Sequence, residues 1–580
     1  METKRDGFGS NFGFIMAAVG SAVGLGNIWG FPYKMGRNGG FSFLLIYLVL
    51  ALFVGLAVMV GELAIGRKTG KSPIAAYRAM SKKFAWMGYI AVAVPFLVLC
   101  FYFVLGGMVM RYAIGYLLAM VGVDFWMGVP YIKGFFGAFL CNGWSMVIWT
   151  AIFIALNAFI VSRGIGGGIE KFCNIGMPCL FVLLIVCIIY VAFQPGAGKG
   201  YEFMFKWNLD PLKEDFLGVM KTAAGQMFFS LSLGMGAIIT YGSYLSKKEK
   251  IQKNAVIIVI MDTLVALMAG CIVLPACHAF GVDTGAGPGL LFKSMQVVFS
   301  HMPAFVGNLM GFLFYFLVFI AAISSSMSLL EAITAARVDA NVEKGKAPKR
   351  GKTAIIFAVI IFVFCIPTAL DALGTGTRDG APIACPAEIL NGYGYDEVSA
   401  YEPAYKMDNG EYVINKDGDK EAIDEFADGV AYYTKDDNGE FVAVEGEFDA
   451  NAVYYVDRYD FADLGTVYTA EDASATINKD EVKYDAAATY YTHHINGVKG
   501  WNDCWLDFYD LLSEGILMPI GAMVMSFAIG WLWKIDTVVE ECEQCGSKFW
   551  GKGFFNICYK FIAPLGMIFV LYAQITGFFG

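Results

Sequence analysis

Residues 20–27 read Gly20-Ser21-Ala22-Val23-Gly24-Leu25-Gly26-Asn27, in the middle of an otherwise apolar run from 9 to 34. Glycines and a polar amide weaken a helix at that depth, and carbonyls freed in a bilayer are tolerable only where they line a cavity or meet a cation. The same device recurs at Ser230-Leu231-Ser232-Leu233-Gly234-Met235-Gly236. Close helix packing by small residues explains either segment alone. Both together, in the first and sixth apolar spans, point to two five-helix repeats of inverted topology around a site at the membrane midplane.

Working outward, eleven apolar stretches are long enough to cross a hydrocarbon core of about 30 Å. They run over 9–34, 41–66, 88–120, 144–161, 171–194, 216–245, 253–280, 304–336, 353–371, 508–533 and 556–578. The first runs through glycines and Pro32 with no cleavage-like site, so it reads as a retained membrane helix and not a signal peptide. Lys4 and Arg5, the cluster from Arg67 to Lys83, Arg163 and Lys171, Lys247 to Lys253, and Arg337 to Lys352 all fall on one side. Positive charge in short loops marks the cytoplasm. The N-terminus is therefore expected inside, and the C-terminus and residues 373–507 outside.

Composition agrees. Of 580 residues, 57% are hydrophobic and 16% charged, which excludes an ordinary soluble domain. The net charge of −9 hides a split, because residues 373–507 contain 29 acids and nine bases. The expected organisation is 1–372 (nine helices), 373–507 (an acidic extracellular insert) and 508–580 (two helices). An aromatic residue followed six positions later by a tyrosine pair appears at Phe426, Phe448 and Tyr484. With Asn409-Gly410, Asn438-Gly439 and Asn496-Gly497, this predicts short strands joined by tight hairpins. The insert is either a solvated decoration or a surface for an unknown extracellular partner. Cys385 and Cys504 bracket it and are candidates for a bridge.

Three polar features sit inside apolar spans. Ala321-Ala322-Ile323-Ser324-Ser325-Ser326 places hydroxyls deep in the eighth; with freed carbonyls they form an all-oxygen shell suited to sodium. Asp262, in the seventh, costs roughly 2.5–3.5 kcal/mol to insert and needs a partner, expected to be sodium shared with Asn27 and Ser230. Glu62 reads as a helix-end group reaching the interface or a neighbouring loop.

The stretch Ser21 to Pro32, the Asn38-Gly39-Gly40 turn and Gly225 to Tyr241 resemble the neurotransmitter:sodium symporter family, most closely its bacterial amino-acid-transporting members with eleven helices. The resemblance implies an all-α membrane protein with broken helices 1 and 6, carrying here a small β-rich insert. It implies one sodium site from Ala22, Asn27, Ser230 and Asp262 with the substrate carboxylate, and a second from Gly20, Val23, Ala321, Ser324 and Ser325. The substrate would be lined by Ala22, Gly24, Gly26, Val98, Tyr102, Phe229, Ser230, Ser232, Met235, Ser325 and Leu329, with Tyr102 on its carboxylate and Phe229 as a lid. Monoamine carriers have aspartate where this chain has Gly24, so the substrate should bring its own carboxylate; Met235 favours a bulky apolar or aromatic amino acid. Chloride-requiring relatives have asparagine and serine where Asp262 and Ala266 stand, which implies transport without chloride.

Gating is expected at Phe229 and Asp510 outside and at Arg5 with Asp339 inside. Two departures stand out: Gly30 replaces the arginine that usually pairs with the outer acid, and Phe8 replaces a tryptophan. Sodium is the only cofactor expected, with no organic cofactor and no nucleic-acid partner; the lack of Asn-x-Ser/Thr sequons suits a prokaryotic source. A nontransporting sensor or adhesion protein is the alternative. An enzyme is disfavoured by the absence of a nucleophile elbow, phosphate loop or zinc helix, and Cys542-x-x-Cys545 is a lone pair.

Overall fold

The computed structural model describes residues 7–123, 135–280, 290–374 and 504–579, and, between 383 and 495, segments 383–386, 389, 393–408, 411–412, 422–427, 430–436, 440–444, 448–449, 452–458, 467–469, 477, 482–485 and 487–495. The chain divides into two compact units, one of 1–374, 381–383 and 499–580, the other of 375–380 and 384–498.

The first unit is helical. Among the described residues nine helices are long and apolar enough to cross a membrane, or ten when a bent pair is counted as one span. That pair is α1 (Asn11–Ala22) and α2 (Phe31–Arg37), the latter entered through a π-turn at Gly26–Gly30, with a bend of 53° between them. Ser10 caps α1 by accepting the Gly13 N–H at 2.9 Å. At Val23 the backbone turns extended (φ −70°, ψ 109°), which stops the helix at mid-membrane depth. The uninterrupted spans are α3 (Phe41–Thr69), α4 (Lys82–Met120), α5 (Gly143–Ser162) and α6 (Ile165–Ala192).

The second break separates α7 (Phe216–Ser230) from α8 (Ala237–Gly242). Between them Ser232, Gly234 and Gly236 have φ of 53°, 78° and 69°. Two of the three are glycine, which enters that region without a Cβ penalty. Then come α9 (Ile251–Phe280), α10 (Ala304–Glu343), α11 (Arg350–Leu370), α12 (Trp505–Leu532) and α13 (Lys552–Thr576). α10 runs along α4, and α1 lies against α6, α9 and α10. The burial pattern is turned outward on the perimeter: Ile175, Val182 and Ile189 of α6 and Ile355, Val359 and Val363 of α11 are exposed, as expected for faces whose solvent is lipid.

Among the described residues, the second unit has short antiparallel strands in three sheets. Their orders are Tyr393–Glu397, Tyr491–Ile495, Val467–Tyr468; then Tyr401–Pro403, Tyr455–Asp457, Tyr433–Lys435, Phe441–Ala443; and a pair Met407–Asp408 with Glu411–Tyr412. In each repeat the lone aromatic packs on the first tyrosine of the pair. Phe426 stacks on Tyr432 at 4.7 Å, Phe448 meets Tyr454 at 5.2 Å and Tyr484 meets Tyr490 at 5.5 Å. The second tyrosine, Tyr433, Tyr455 or Tyr491, opens a strand. The three Asn-Gly dipeptides lie outside the described residues, although strands pair on both sides of 409–410 and of 438–439. All thirteen cysteines, Cys385 and Cys504 among them, are thiols.

Candidate functional site

The two breaks meet. Ala22, Gly24, Gly26, Val98, Tyr102, Phe229, Ser230, Ser232, Met235, Ser325 and Leu329 line one cavity, which also takes in Ser21. It encloses only about 20 Å³, room for roughly one water. Its walls must part before any larger solute enters. Tyr102 Oη accepts the Leu25 N–H at 3.0 Å, anchoring α4 to the unwound strand. The ring of Phe229 lies over Gly26, where a Cβ would meet it at 2.5 Å.

On one side of this cavity Asn27 is the hub. Its amide nitrogen donates to Asp262 Oδ1 at 2.7 Å and Ser230 Oγ at 2.8 Å, and its oxygen accepts the Gly24 N–H at 2.9 Å. Ser230 donates to Asp262 Oδ2 at 2.8 Å, with Tyr47 at 3.5 Å. Asp262 is fully buried, and these partners are all neutral. A buried carboxylate without a countercharge is costly, so the donor set suits a monovalent cation. On the other side Ser325 Oγ lies 2.8 Å from the Val23 carbonyl and 3.2 Å from that of Gly20. Ser324 donates to the Ala321 carbonyl at 3.0 Å. This second group is uncharged and all oxygen, the chemistry a hard cation prefers.

Of the two expected destinations of Glu62, the structure shows the neighbouring loop and not the interface, and it corrects the placement at a helix end. Glu62 is 1% exposed and accepts the Gly234 N–H at 2.7 Å, so it holds the second break from behind and does not reach the interface. α3 continues to Thr69, which leaves Glu62 two turns inside its helix. Sequence reasoning also missed Gln226, whose amide donates to the Gly26 carbonyl at 2.7 Å, and Ser21, which donates to Ser328 at 2.7 Å while its carbonyl receives Ser232 at 2.9 Å. Carbonyls freed by Gly20–Asn27 signalled that such donors were needed, but not which ones.

Asp510 and Glu514, one turn apart on α12, share a side-chain hydrogen bond, and the Lys34 charge acts on both. Lys34 stands one turn beyond Gly30 on the same helix face. At the end of α10, Asp339 accepts the Ser72 N–H at 2.7 Å; Arg5 lies outside the described residues. Phe8 packs edge-on against Phe14 and Tyr241, and Glu170 accepts the Gly9 N–H at 2.8 Å, which pins the segment ahead of α1. No cluster of three or more His, Cys, Asp or Glu that could hold a metal exists among the described residues, and Cys545 is bonded to Ser547 at 2.9 Å.

A profile of the sodium:neurotransmitter symporter family matches residues 5–127 and 135–377, which span both breaks and both oxygen clusters. The chain belongs to that family. Family members are transporters and not enzymes, so the protein is a sodium-dependent, multi-pass membrane transporter. It is 35% identical over 376 residues to an uncharacterized sodium-dependent transporter, YhdH, of Bacillus subtilis, covering 64% of this chain and 80% of that one. It is 32% identical to a similarly described transporter of Haemophilus influenzae, covering 59% and 76%. Among solved structures it is similar to MhsT in complex with L-phenylalanine, at 28% identity and a TM-score of 0.69, covering 98% of this chain and 100% of that one.

Proposed function

We propose that this transporter imports a zwitterionic α-amino acid with a bulky apolar or aromatic side chain, driven by sodium at two sites and independent of chloride. The observation that carries the reading is the cavity between the two helix breaks, where Tyr102 and exposed backbone face the glycine at position 24 and no fixed acid replaces a substrate carboxylate. The phenylalanine bound by MhsT supports the substrate class, as does similarity at 26% identity to a cattle neutral amino acid transporter, B(0)AT2. Asp262 with Ala266 supports chloride independence, because a fixed carboxylate stands where a mobile anion would otherwise supply the charge.

In this reading the first ten of eleven helices form the two inverted five-helix repeats, and α7 with α8 is the sixth span. The N-terminus is cytoplasmic, and the C-terminus and the 373–507 insert are extracellular. Sodium joins α1 to α10 through Gly20, Val23, Ala321, Ser324 and Ser325, and the substrate carboxylate completes the other site beside Ala22, Asn27, Ser230 and Asp262. Closure follows when both are filled, since each ligand shifts the equilibrium only by its differential affinity. Phe229 closes over the substrate, Lys34 with Asp510 and Glu514 closes the outer path, and Asp339 with Arg5 closes the inner one. The test is uptake of radiolabelled phenylalanine, leucine, glycine and dopamine into proteoliposomes of purified protein. A sodium gradient should drive the first two, and gluconate in place of chloride should change nothing. Uptake of glycine or dopamine alone would sink the substrate assignment.

A further inference from the structure

A second, unrelated cleft opens at the end of the bundle that carries the positive loops. It is larger, about 660 Å³, and lies between the start of α4, the end of α10, the start of α11 and the short helix Pro73–Met80. Its floor is apolar and partly exposed: Val92 and Phe96 of α4 face Ile333 of α10 and Phe357 of α11, and Tyr89 at its mouth is 58% exposed. Tyr89 to Phe96 spans two helical turns, roughly 10 Å of groove. Its rim is cationic. Arg78, Arg337 and Lys344 line it, and the one acid there, Glu343, is already bonded by Lys71 at 3.1 Å and Arg78 at 3.2 Å. The remaining acid on that turn of α10, Asp339, is engaged by the Ser72 N–H.

We infer that this cleft binds an anionic phospholipid of the inner leaflet, its phosphodiester on Arg78, Arg337 and Lys344 and one acyl chain along Val92, Phe96 and Phe357. The combination is specific in chemistry. A soluble anion has no use for the apolar floor, and a zwitterionic lipid gains little from a rim that sets three cations against one carboxylate, Glu343, which Lys71 also pairs. Basic pockets between membrane helices on the cytoplasmic side recognise anionic headgroups in this way. The inference rests on the orientation proposed above, but not on the substrate. A lipid seated there bridges Pro73–Met80 to the end of α10, the two elements joined by the Ser72–Asp339 bond, and so braces the inner face.

Native mass spectrometry of the full chain in detergent, titrated with phosphatidylglycerol or phosphatidylcholine, tests it without reference to transport. Phosphatidylglycerol should bind preferentially, and the triple variant Arg78→Gln, Arg337→Gln, Lys344→Gln should lose roughly tenfold or more in affinity. A control on another positive loop, Lys248→Gln, Lys250→Gln, Lys253→Gln, should bind as the parent does. Ala93→Trp keeps every charge and fills the groove, so it too should weaken binding, which covers the case of a triple variant that fails to fold. Undiminished binding in Ala93→Trp, equal loss in the control, or displacement by glycerophosphoglycerol as effective as by the whole lipid would overturn the site.

Discussion

A Cβ on residue 24 would stand 2.7 Å from both Ser325 Oγ and Tyr102 Oη. Gly24→Ala is therefore expected to push apart the two side chains that face the cavity, at a cost of about 1–3 kcal/mol, and to cut sodium-driven uptake by tenfold or more; uptake kinetics of the variant at matched expression check this. A glycine there was legible from sequence as an absent aspartate, whereas its steric role was not, because nothing in the order of residues places Ser325 beside it. Lys34 is the reverse case. The resemblance marks an arginine as missing at Gly30, and the structure adds that the Lys34 charge acts on Asp510 and Glu514, which is why we propose Lys34 in its place. Lys34→Gln should slow uptake several-fold, and adding Gly30→Arg should restore much of the loss, provided the Gln226 side chain, whose Oε1 would lie 3.1 Å from a Cβ at 30, gives way. No rescue by the double variant would count against a shifted gate.

Helix breaks could be read from glycines and amides because a bilayer supplies no water to satisfy freed backbone groups. Their supports could not. Glu62 looked like a terminal group because its apolar window ended nearby, yet α3 runs on through Arg67, whose guanidinium is buried against Glu541 at 2.7 Å. The π-turns at Gly26–Gly30 and Leu511–Leu517 likewise carry no distinctive pattern. Between elements, Asp371, just past α11, accepts the Trp505 N–H at 2.5 Å and the Leu373 N–H at 3.1 Å. Burial pushes its carboxyl up to about 7, those bonds oppose the rise, and Asp507 adds to it. The folded protein thus holds a proton that the unfolded chain gives up, and this group's contribution to stability falls as pH rises from about 4 to about 7. Thermal unfolding at pH 5 and pH 8 should show a smaller difference for Asp371→Asn than for the parent; equal differences would refute the assignment.

At the scale of the whole molecule, two compact units share one chain, and the sequence announced both through charge and through the tyrosine repeats. The repeats were legible because each one packs its own aromatic pair locally, as Phe426 does on Tyr432. The sheet order was not, since Tyr401–Pro403 pairs with Tyr455–Asp457 across more than fifty residues. The transporter unit contains both sodium-suited oxygen clusters and the cavity by itself. Deleting 380–500 and joining the ends with a short flexible linker should therefore leave sodium-driven uptake within about twofold of the parent at equal surface abundance. Complete loss in a variant that still elutes as a folded species would tie transport to the acidic unit. The clasp from Asp371 to Trp505 spans 134 residues of sequence in a single hydrogen bond. A junction of that kind works as a socket: an epitope, a fluorescent reporter or an unrelated fold plugged in there would ride on the carrier while the machinery beneath kept its register.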